Sequence, residues 1–276
     1  MRFTGKTAVV TGGYRGIGLA TVELFAREGA NVVLNARRQP EMDEAVATAQ
    51  KAARGGRVIA AQGDVGYRDQ VQSIFDTTMA NFGRVDYLIN NAGICHGEPF
   101  LLAGDDWWDD HIRINLTSIF YTCQIFARQM VKQGQGGAIV NLSSIAATQA
   151  HRNTVSYDAS KGGVEAFTRA LALELAPWYI RVNAISPAAV LGNFVKEKPK
   201  EWFEAKAYEK FDTPLLQQGT PEDCAELMAF LCSDAATFIT GQAIYIDGGL
   251  SAQARPFAMG PLQLTTHNIA GKGILE

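Results

Sequence analysis

A doubly wound parallel α/β sheet is the fold class predicted by the 276-residue sequence. Three observations predict it. Seven short runs rich in β-branched and apolar residues alternate with longer helical stretches. Each run is nearly continuous in apolar residues, as a strand buried on both faces requires. The first run ends in a glycine-rich turn that leads into a helical stretch.

The elements follow in order. Thr7-Ala8-Val9-Val10 is the first predicted strand, and Leu19 to Glu28 the helix after its turn. Asn31-Val32-Val33-Leu34 and Val58-Ile59-Ala60 are the second and third strands, followed by a helix over Asp69 to Asn81. Tyr87-Leu88-Ile89 is the fourth, leading to a long helix over Trp107 to Lys132. Ala138-Ile139-Val140 is the fifth, leading to a helix over Ser156 to Trp178. Arg181 to Ile185 and Ala243 to Ile246 complete the seven. No repeat, low-complexity segment or linker divides them, so residues 1–249 are expected to form one Rossmann-like domain. Two regions fall outside the rhythm: Val190 to Pro214 and the tail after Gly249.

Composition narrows the function classes. Hydrophobic residues make up 47% and charged residues 19%, which excludes a disordered chain, a coiled coil and a nucleic-acid-binding tail. Lysines and arginines number 25 against 28 acidic residues, a net charge of −3, so no basic surface for nucleic acid or anionic lipid is expected. Any phosphate binding must therefore be local. Cys95, Cys123, Cys224 and Cys232 stand far apart and form neither a Cys-x-x-Cys pair nor a zinc-type cluster; reduced thiols and no metal are expected. Met1 to Lys6 lacks the apolar stretch of a signal peptide. Ile114 to Ala127 is apolar but shorter than the roughly 18 residues of a membrane span. A soluble, cytoplasmic protein is expected.

The turn Thr11-Gly12-Gly13-Tyr14-Arg15-Gly16-Ile17-Gly18 carries the first functional signal. Glycines let backbone N–H groups approach a pyrophosphate at a helix N-terminus, where the helix dipole also favours negative charge. A dinucleotide is expected there. An NAD-selective site would place a carboxylate at the end of the second strand, on the ribose hydroxyls. Here the chain reads Leu34-Asn35-Ala36-Arg37-Arg38. A guanidinium suits a 2′-phosphate, so Arg37, with Arg15 in the turn, points to NADP(H), with NAD(H) as the alternative.

Tyr157 and Lys161 lie four apart on a predicted helix, hence on one face. A free tyrosine titrates near 10 and is a poor base unless its anion is stabilised; a nearby ammonium would favour the phenolate. Further spacings join this pair. The turn reads Gly-x-x-x-Gly-x-Gly, Asn90-Asn91-Ala92-Gly93 follows the fourth strand, Ser144 lies thirteen residues before Tyr157, Tyr157-Asp158-Ala159-Ser160-Lys161 gives Tyr-x-x-x-Lys, and Asn115 lies in the long fourth helix. In order and spacing, from about Lys6 to Gly249, the chain resembles the short-chain dehydrogenase/reductase family.

The resemblance implies hydride transfer between a nicotinamide cofactor and a secondary alcohol or carbonyl. It implies that Tyr157 is the general acid/base, Ser144 orients the substrate oxygen, Lys161 bonds the nicotinamide ribose, and Asn115 holds a water that joins Lys161 to solvent. It places Gly12, Tyr14, Arg15, Ile17 and Gly18 around the phosphates, Asp64 and Val65 at the adenine, and Asn91 and Gly93 on the adenosine-ribose side. Pro187 and Val190 would flank the nicotinamide carboxamide, although Pro187-Ala188 replaces the family's Pro-Gly and Gly192 stands where a threonine is common.

Substrate residues are expected where the strands end: Cys95 and His96 after the fourth, Gln149, His151 and Asn153 after the fifth, and Asn193 after the sixth. Their polarity suits a sugar or polyol. The alternatives are a β-ketoacyl (3-oxoacyl) or other carbonyl reductase and a non-catalytic NADP-binding regulator. By resemblance, an acyl-carrier reductase would be basic near the turn before the fifth strand; Lys132-Gln133-Gly134-Gln135-Gly136 is largely neutral. The resemblance also implies a homotetramer. Residues 250–276 carry Phe257, Met259, Leu262, Leu264, Ile269, Ile274 and Leu275 and are expected to pack as an extended arm on a neighbouring subunit.

Overall fold

The computed structural model describes residues 1–188, 190, 213–215 and 217–253. Among them are seven strands: β1 Thr7–Thr11, β2 Asn31–Ala36, β3 Val58–Gln62, β4 Tyr87–Asn90, β5 Gly137–Leu142, β6 Ile180–Pro187 and β7 Ala243–Ile246. They form one sheet in the order β3-β2-β1-β4-β5-β6-β7, and every neighbouring pair is parallel. Each predicted strand lies within one of these. β1 is buried along its whole length, consistent with layers of helix on both faces.

The helices are α1 Gly16–Arg27, α2 Gln39–Ala52, α3 Arg68–Phe82, α4 Asp105–Ile112, α5 Ser118–Gln133, α6 Val155–Leu175 and α7 Pro221–Cys232. α1, α2 and α7 cover one face of the sheet, where Phe3 stacks on Phe25 at 4.6 Å and meets the edge of Tyr87. α3, α5 and α6 cover the other, around Phe126, Ile139 and Val182. α3 and α5 stop at Gly83 and Gly134, whose left-handed conformations, free of a Cβ penalty, let their N–H groups donate to carbonyls of the last helical turn.

Two of the predicted helices are divided. The stretch from Trp107 to Lys132 is α4, then a π-type turn over Arg113–Thr117, then α5. The stretch from Ser156 to Trp178 is α6 followed by a 3₁₀ turn, Ala176–Trp178, where Pro177 cannot donate to the α-helical ladder.

The strand order reverses between β1 and β4. Chain leaving their C-terminal ends diverges there and opens a crevice, the usual ligand position in such sheets. A buried polar chain fixes the sheet below it. The Thr122 hydroxyl donates to Asn90 Oδ1, Asn90 Nδ2 donates to Asn141 Oδ1 at 2.8 Å, and Asn141 Nδ2 donates to Thr168 Oγ1. α5, β4, β5 and α6 are thereby joined in one register.

Candidate active site

The glycine turn between β1 and α1 forms one wall of the crevice. Gly18, one turn into α1, lies so close to the turn that an added Cβ would sit 2.3 Å from the Gly12 carbonyl oxygen and 2.5 Å from Asn91 Nδ2. Only glycine lets α1 start this close to the sheet. Asn91 Nδ2 donates to the carbonyls of Thr11 and Gly12, and Thr11 Oγ1 accepts from the N–H groups of Asn91 and Ala92. Arg15 at the start of α1 makes no side-chain cap. The first N–H groups of that helix lack intrahelical partners, as at any helix start, and this is the donor set a pyrophosphate takes.

A cavity of about 670 Å³ runs from this turn across the ends of β1 to β4. Gly12, Tyr14, Arg15, Ile17, Arg37, Asp64, Val65, Asn91, Gly93 and His96 line it. An adjoining cavity of about 280 Å³ is lined by Ser144, Tyr157, Lys161, Pro187 and Val190, with Leu142, Ser143 and Ala188. Ile17, Asn91, Gly93, Ile94 and Cys95 belong to both, so the two are continuous. A long ligand can therefore lie with one end on the glycine turn and the other beside Tyr157. The uncapped helix start and the close turn fit a dinucleotide.

At the outer end, Arg37 is 62% exposed, with its guanidinium 3.9 Å from Asp64. That spacing and exposure make a weak pair, worth at most about 1 kcal/mol, so the guanidinium is free to turn towards a ligand. Asn35, the other polar side chain near the end of β2, is buried and donates to the carbonyls of Ala61 and Gly63. Asp64 Oδ1 accepts from the Gly66 N–H at 2.8 Å.

At the inner end, Tyr157 and Lys161 come from the first turns of α6. Burial pushes the Tyr157 phenol up to about 12, with the Ser144 hydroxyl beside it acting in the opposite sense. Lys161 is almost fully buried, and burial brings its ammonium down to about 8. Its Nζ donates to the Leu142 carbonyl at 2.7 Å and stands 5.6 Å from the centre of the Tyr157 ring. In this arrangement burial of the phenol outweighs the influence of its neighbours. The lysine is directed at a main-chain oxygen, and desolvation of the phenol prevails. Ser144 follows β5 by two residues, and its Oγ accepts from the Ala146 N–H at 3.1 Å.

Several expected positions differ. Gly18 does not line the cavity; it is a close-packing residue behind the turn. The Asn91 amide nitrogen is committed to the turn it faces. Asn115 lies in the π-type turn and is fully buried. Its Oδ1 accepts from the Ile94 N–H, and its Nδ2 donates to the Ile94 carbonyl and Ser160 Oγ, so its amide is taken up by protein. Gln149 and His151 line neither cavity; His151 is held at the surface by Asp158, its main-chain N–H donating at 2.9 Å. Asn193 lies outside the described residues. The turn before β5 is at the N-terminal edge of the sheet, opposite the cavities.

His111 was missed by the sequence reading. It is 1% exposed, its ring 6.4 Å from that of Tyr157. Its place, four residues after Trp107 and four before Asn115, was the available signal. Among the described residues no group of three or more side chains could hold a metal ion, and no helix is long and apolar enough to cross a membrane.

Comparisons with known proteins agree with this geometry. A family model described as Enoyl-(Acyl carrier protein) reductase matches residues 12–251. The chain is 36% identical to the 3-oxoacyl-[acyl-carrier-protein] reductase FabG of Thermotoga maritima, over 91% of this chain and 99% of that protein. It is 39% identical to 3beta-hydroxysteroid dehydrogenase 1 of Eggerthella lenta, over 90% of this chain and 94% of that one. The crystal structure of L-sorbose reductase from Gluconobacter frateurii, complexed with NADPH and L-sorbose, superposes with a TM-score of 0.85 at 31% identity, covering 92% of this chain and 99% of that one.

Proposed function

The chain belongs to the short-chain dehydrogenase/reductase family, and on that premise we propose that it transfers a hydride between NADP(H) and a secondary alcohol or carbonyl carbon of a sugar or polyol. It is an oxidoreductase of a family that uses nicotinamide cofactors. The observation that carries the proposal is the continuous crevice, with the glycine turn and Arg37 at one end and Ser144, Tyr157 and Lys161 at the other.

When bound, the nicotinamide supplies or accepts the hydride. The residues do the rest. The uncapped start of α1 receives the pyrophosphate, and Arg37 with Arg15 receives a 2′-phosphate. The Ser144 hydroxyl donates to the substrate oxygen and orients it. The Tyr157 phenol gives its proton to that oxygen in reduction; its anion removes the proton in oxidation. Lys161 holds the ribose and favours the anion when its ammonium turns from Leu142.

The sugar reading is supported by the structural relative complexed with NADPH and L-sorbose. The second reading, a 3-oxoacyl reductase, is favoured by the Thermotoga maritima relative and by the apolar residues Ile94, Leu142, Ala188 and Val190 around the inner cavity. A non-catalytic NADP-binding regulator would share the outer cavity and turn over nothing. We place the enzyme in the cytoplasm as a homotetramer, with residues 250–276 packing as an arm on a neighbouring subunit.

One experiment separates these readings: NADPH oxidation and NADP reduction by the full chain with sugars, polyols, β-ketoesters and a steroid ketone. Turnover greatest with a sugar or polyol is expected; a preference for β-ketoesters selects the second reading. No turnover with any would leave the regulator. In the same assay Arg37→Ala should weaken NADPH by about ten- to a hundredfold, the worth of a charge-assisted hydrogen bond, and NADH far less. Equal losses would remove Arg37 from the cofactor site.

A further inference from the structure

Ile94 and Cys95 form part of the wall shared by the two cavities; with His96, which lines the outer cavity, they make a segment held from behind by one helical face. Ile94 gives both main-chain groups to Asn115: its N–H donates to Oδ1 at 2.8 Å and its carbonyl accepts from Nδ2 at 2.9 Å. His96 is held the same way two residues on. Its N–H donates to His111 Nε2 at 3.2 Å, and its carbonyl accepts from Trp107 Nε1 at 3.1 Å. Trp107, His111 and Asn115 stand four residues apart, so they form one row along α4 and the turn after it. The intervening residue, Cys95, has no hydrogen-bond partner for its main-chain N–H or carbonyl among the described residues, and it lines both cavities.

His111 is the centre of this row. Because Nε2 accepts from His96, it carries no proton; the ring proton is on Nδ1, which donates to the Trp107 carbonyl at 2.8 Å. The imidazole packs edge-on against three rings, those of Trp107 at 5.4 Å, His96 at 6.0 Å and Tyr157 at 6.4 Å. One buried side chain therefore touches the cavity wall on one side and the phenol on the other.

We infer that His111, as a neutral imidazole protonated on Nδ1, is a positioning residue that sets the Ile94–His96 wall relative to Tyr157. This inference rests on the hydride-transfer reading of the same site. The wall lies where the outer cavity meets the inner one, so a shift there alters the distance and angle between a bound nicotinamide ring and the substrate carbon. A displacement of 1 Å costs about a hundredfold in rate. Loss of one of the wall's anchors should shift it by less.

The test uses the full chain, the substrate with the highest turnover on the panel, and NADPH. In His111→Phe a ring still packs against Tyr157, but the His96 N–H loses its acceptor. Its kcat should fall about tenfold, with NADPH affinity and KM changing less than about threefold. His111→Gln returns an amide oxygen near the Nε2 position and should recover most of the loss. A purely structural role would lower stability without this split and without rescue. Unchanged kcat in His111→Phe, or His111→Gln as slow as His111→Phe, would overturn the inference.

If His111→Phe does not fold, Trp107→Phe removes the other anchor of His96 and should lower kcat in the same sense; no change would again overturn the inference. A second measurement needs no turnover. The sequence holds four histidines, so nitrogen-15 labelling of histidine gives few imidazole signals, and His111→Gln identifies the one of interest. At neutral pH it should show a protonated Nδ1 and a bare Nε2. The reverse tautomer, or an imidazolium, would overturn the inference. A wild-type chain that turns over nothing on the panel fails the hydride-transfer reading, and the tautomer still decides whether the anchor exists.

Discussion

Burial drives Tyr157 and Lys161 both towards their neutral forms, the phenol up to about 12 and the ammonium down to about 8. Their spacing on one helical face was legible from the sequence; the direction of the lysine was not, because it depends on where the Leu142 carbonyl falls after folding. The consequence is a directional pH dependence. Alcohol oxidation needs Tyr157 deprotonated, and below its pKa that fraction grows about tenfold per pH unit. Oxidation measured as kcat/KM should therefore climb between about pH 6 and 8, then bend as Lys161 gives up its proton near 8. Carbonyl reduction draws on the protonated phenol and should stay nearly level over the same interval. Profiles in both directions check this; oxidation that falls as the pH rises would be incompatible with Tyr157 as the base. The substrate residues were the least legible. Gln149 and His151 follow β5 in sequence, but Asp158 draws that loop to the surface, whereas His111 reaches the site from a helix whose sequence points only to packing.

At the scale of elements, period and apolar continuity were enough for the sheet, since strands buried on both faces leave an unambiguous pattern. α2 and α7 did not stand out in the same way. α2 buries only Met42, Ala45 and Ala49, so its apolar stripe is narrow. α7 had a start signal, with Thr220 and Asp223 forming a capping box and Pro221 in the first turn, but it follows a stretch without pattern. The π-type turn around Asn115 has no sequence period of its own and was read through as helix. The glycine turn leads to the sharpest prediction at this scale. Gly18→Ala would put a methyl 2.3 Å from the Gly12 oxygen, so α1 or the turn must move. Overpacking of this kind costs about 1–3 kcal/mol, and NADPH affinity should fall at least tenfold with it. Gly162→Ala, inside α6 with its nearest neighbour 3.6 Å away, should instead raise the melting temperature, by about 0.5–1 kcal/mol of stability. Thermal melts of both variants with and without NADPH test the contrast; equal behaviour would mean that the close approach of α1 is unimportant.

At the scale of the whole molecule, large apolar side chains remain exposed on separate faces, among them Phe120 on α5 and Leu173, Tyr179 and Phe238 near the end of α6 and before β7. The homotetramer proposed above would cover some of them. The arm proposed for residues 250–276 begins twelve residues after Phe238, and its Phe, Met, Leu and Ile content gives it side chains to bury. Each such side chain is worth about 1.5–3 kcal/mol when covered. Truncation after Leu250 should lower the melting temperature and the mass seen by light scattering, or raise KM, and leave the Tyr157 region intact. Identical mass, melting temperature and kinetics would dispose of the arm.

The central claim is that one phenol moves the proton while the dinucleotide is held elsewhere in the same crevice. Tyr157→Phe tests it most directly, in a paired measurement of NADPH binding and carbonyl reduction with the wild-type chain's highest-turnover substrate. The account predicts a dissociation constant for NADPH within about twofold of wild type, because the ring still packs, and a rate reduced by about a hundredfold or more, the usual worth of a positioned acid. A variant that keeps most of its rate, or one that loses NADPH along with it, would contradict the account.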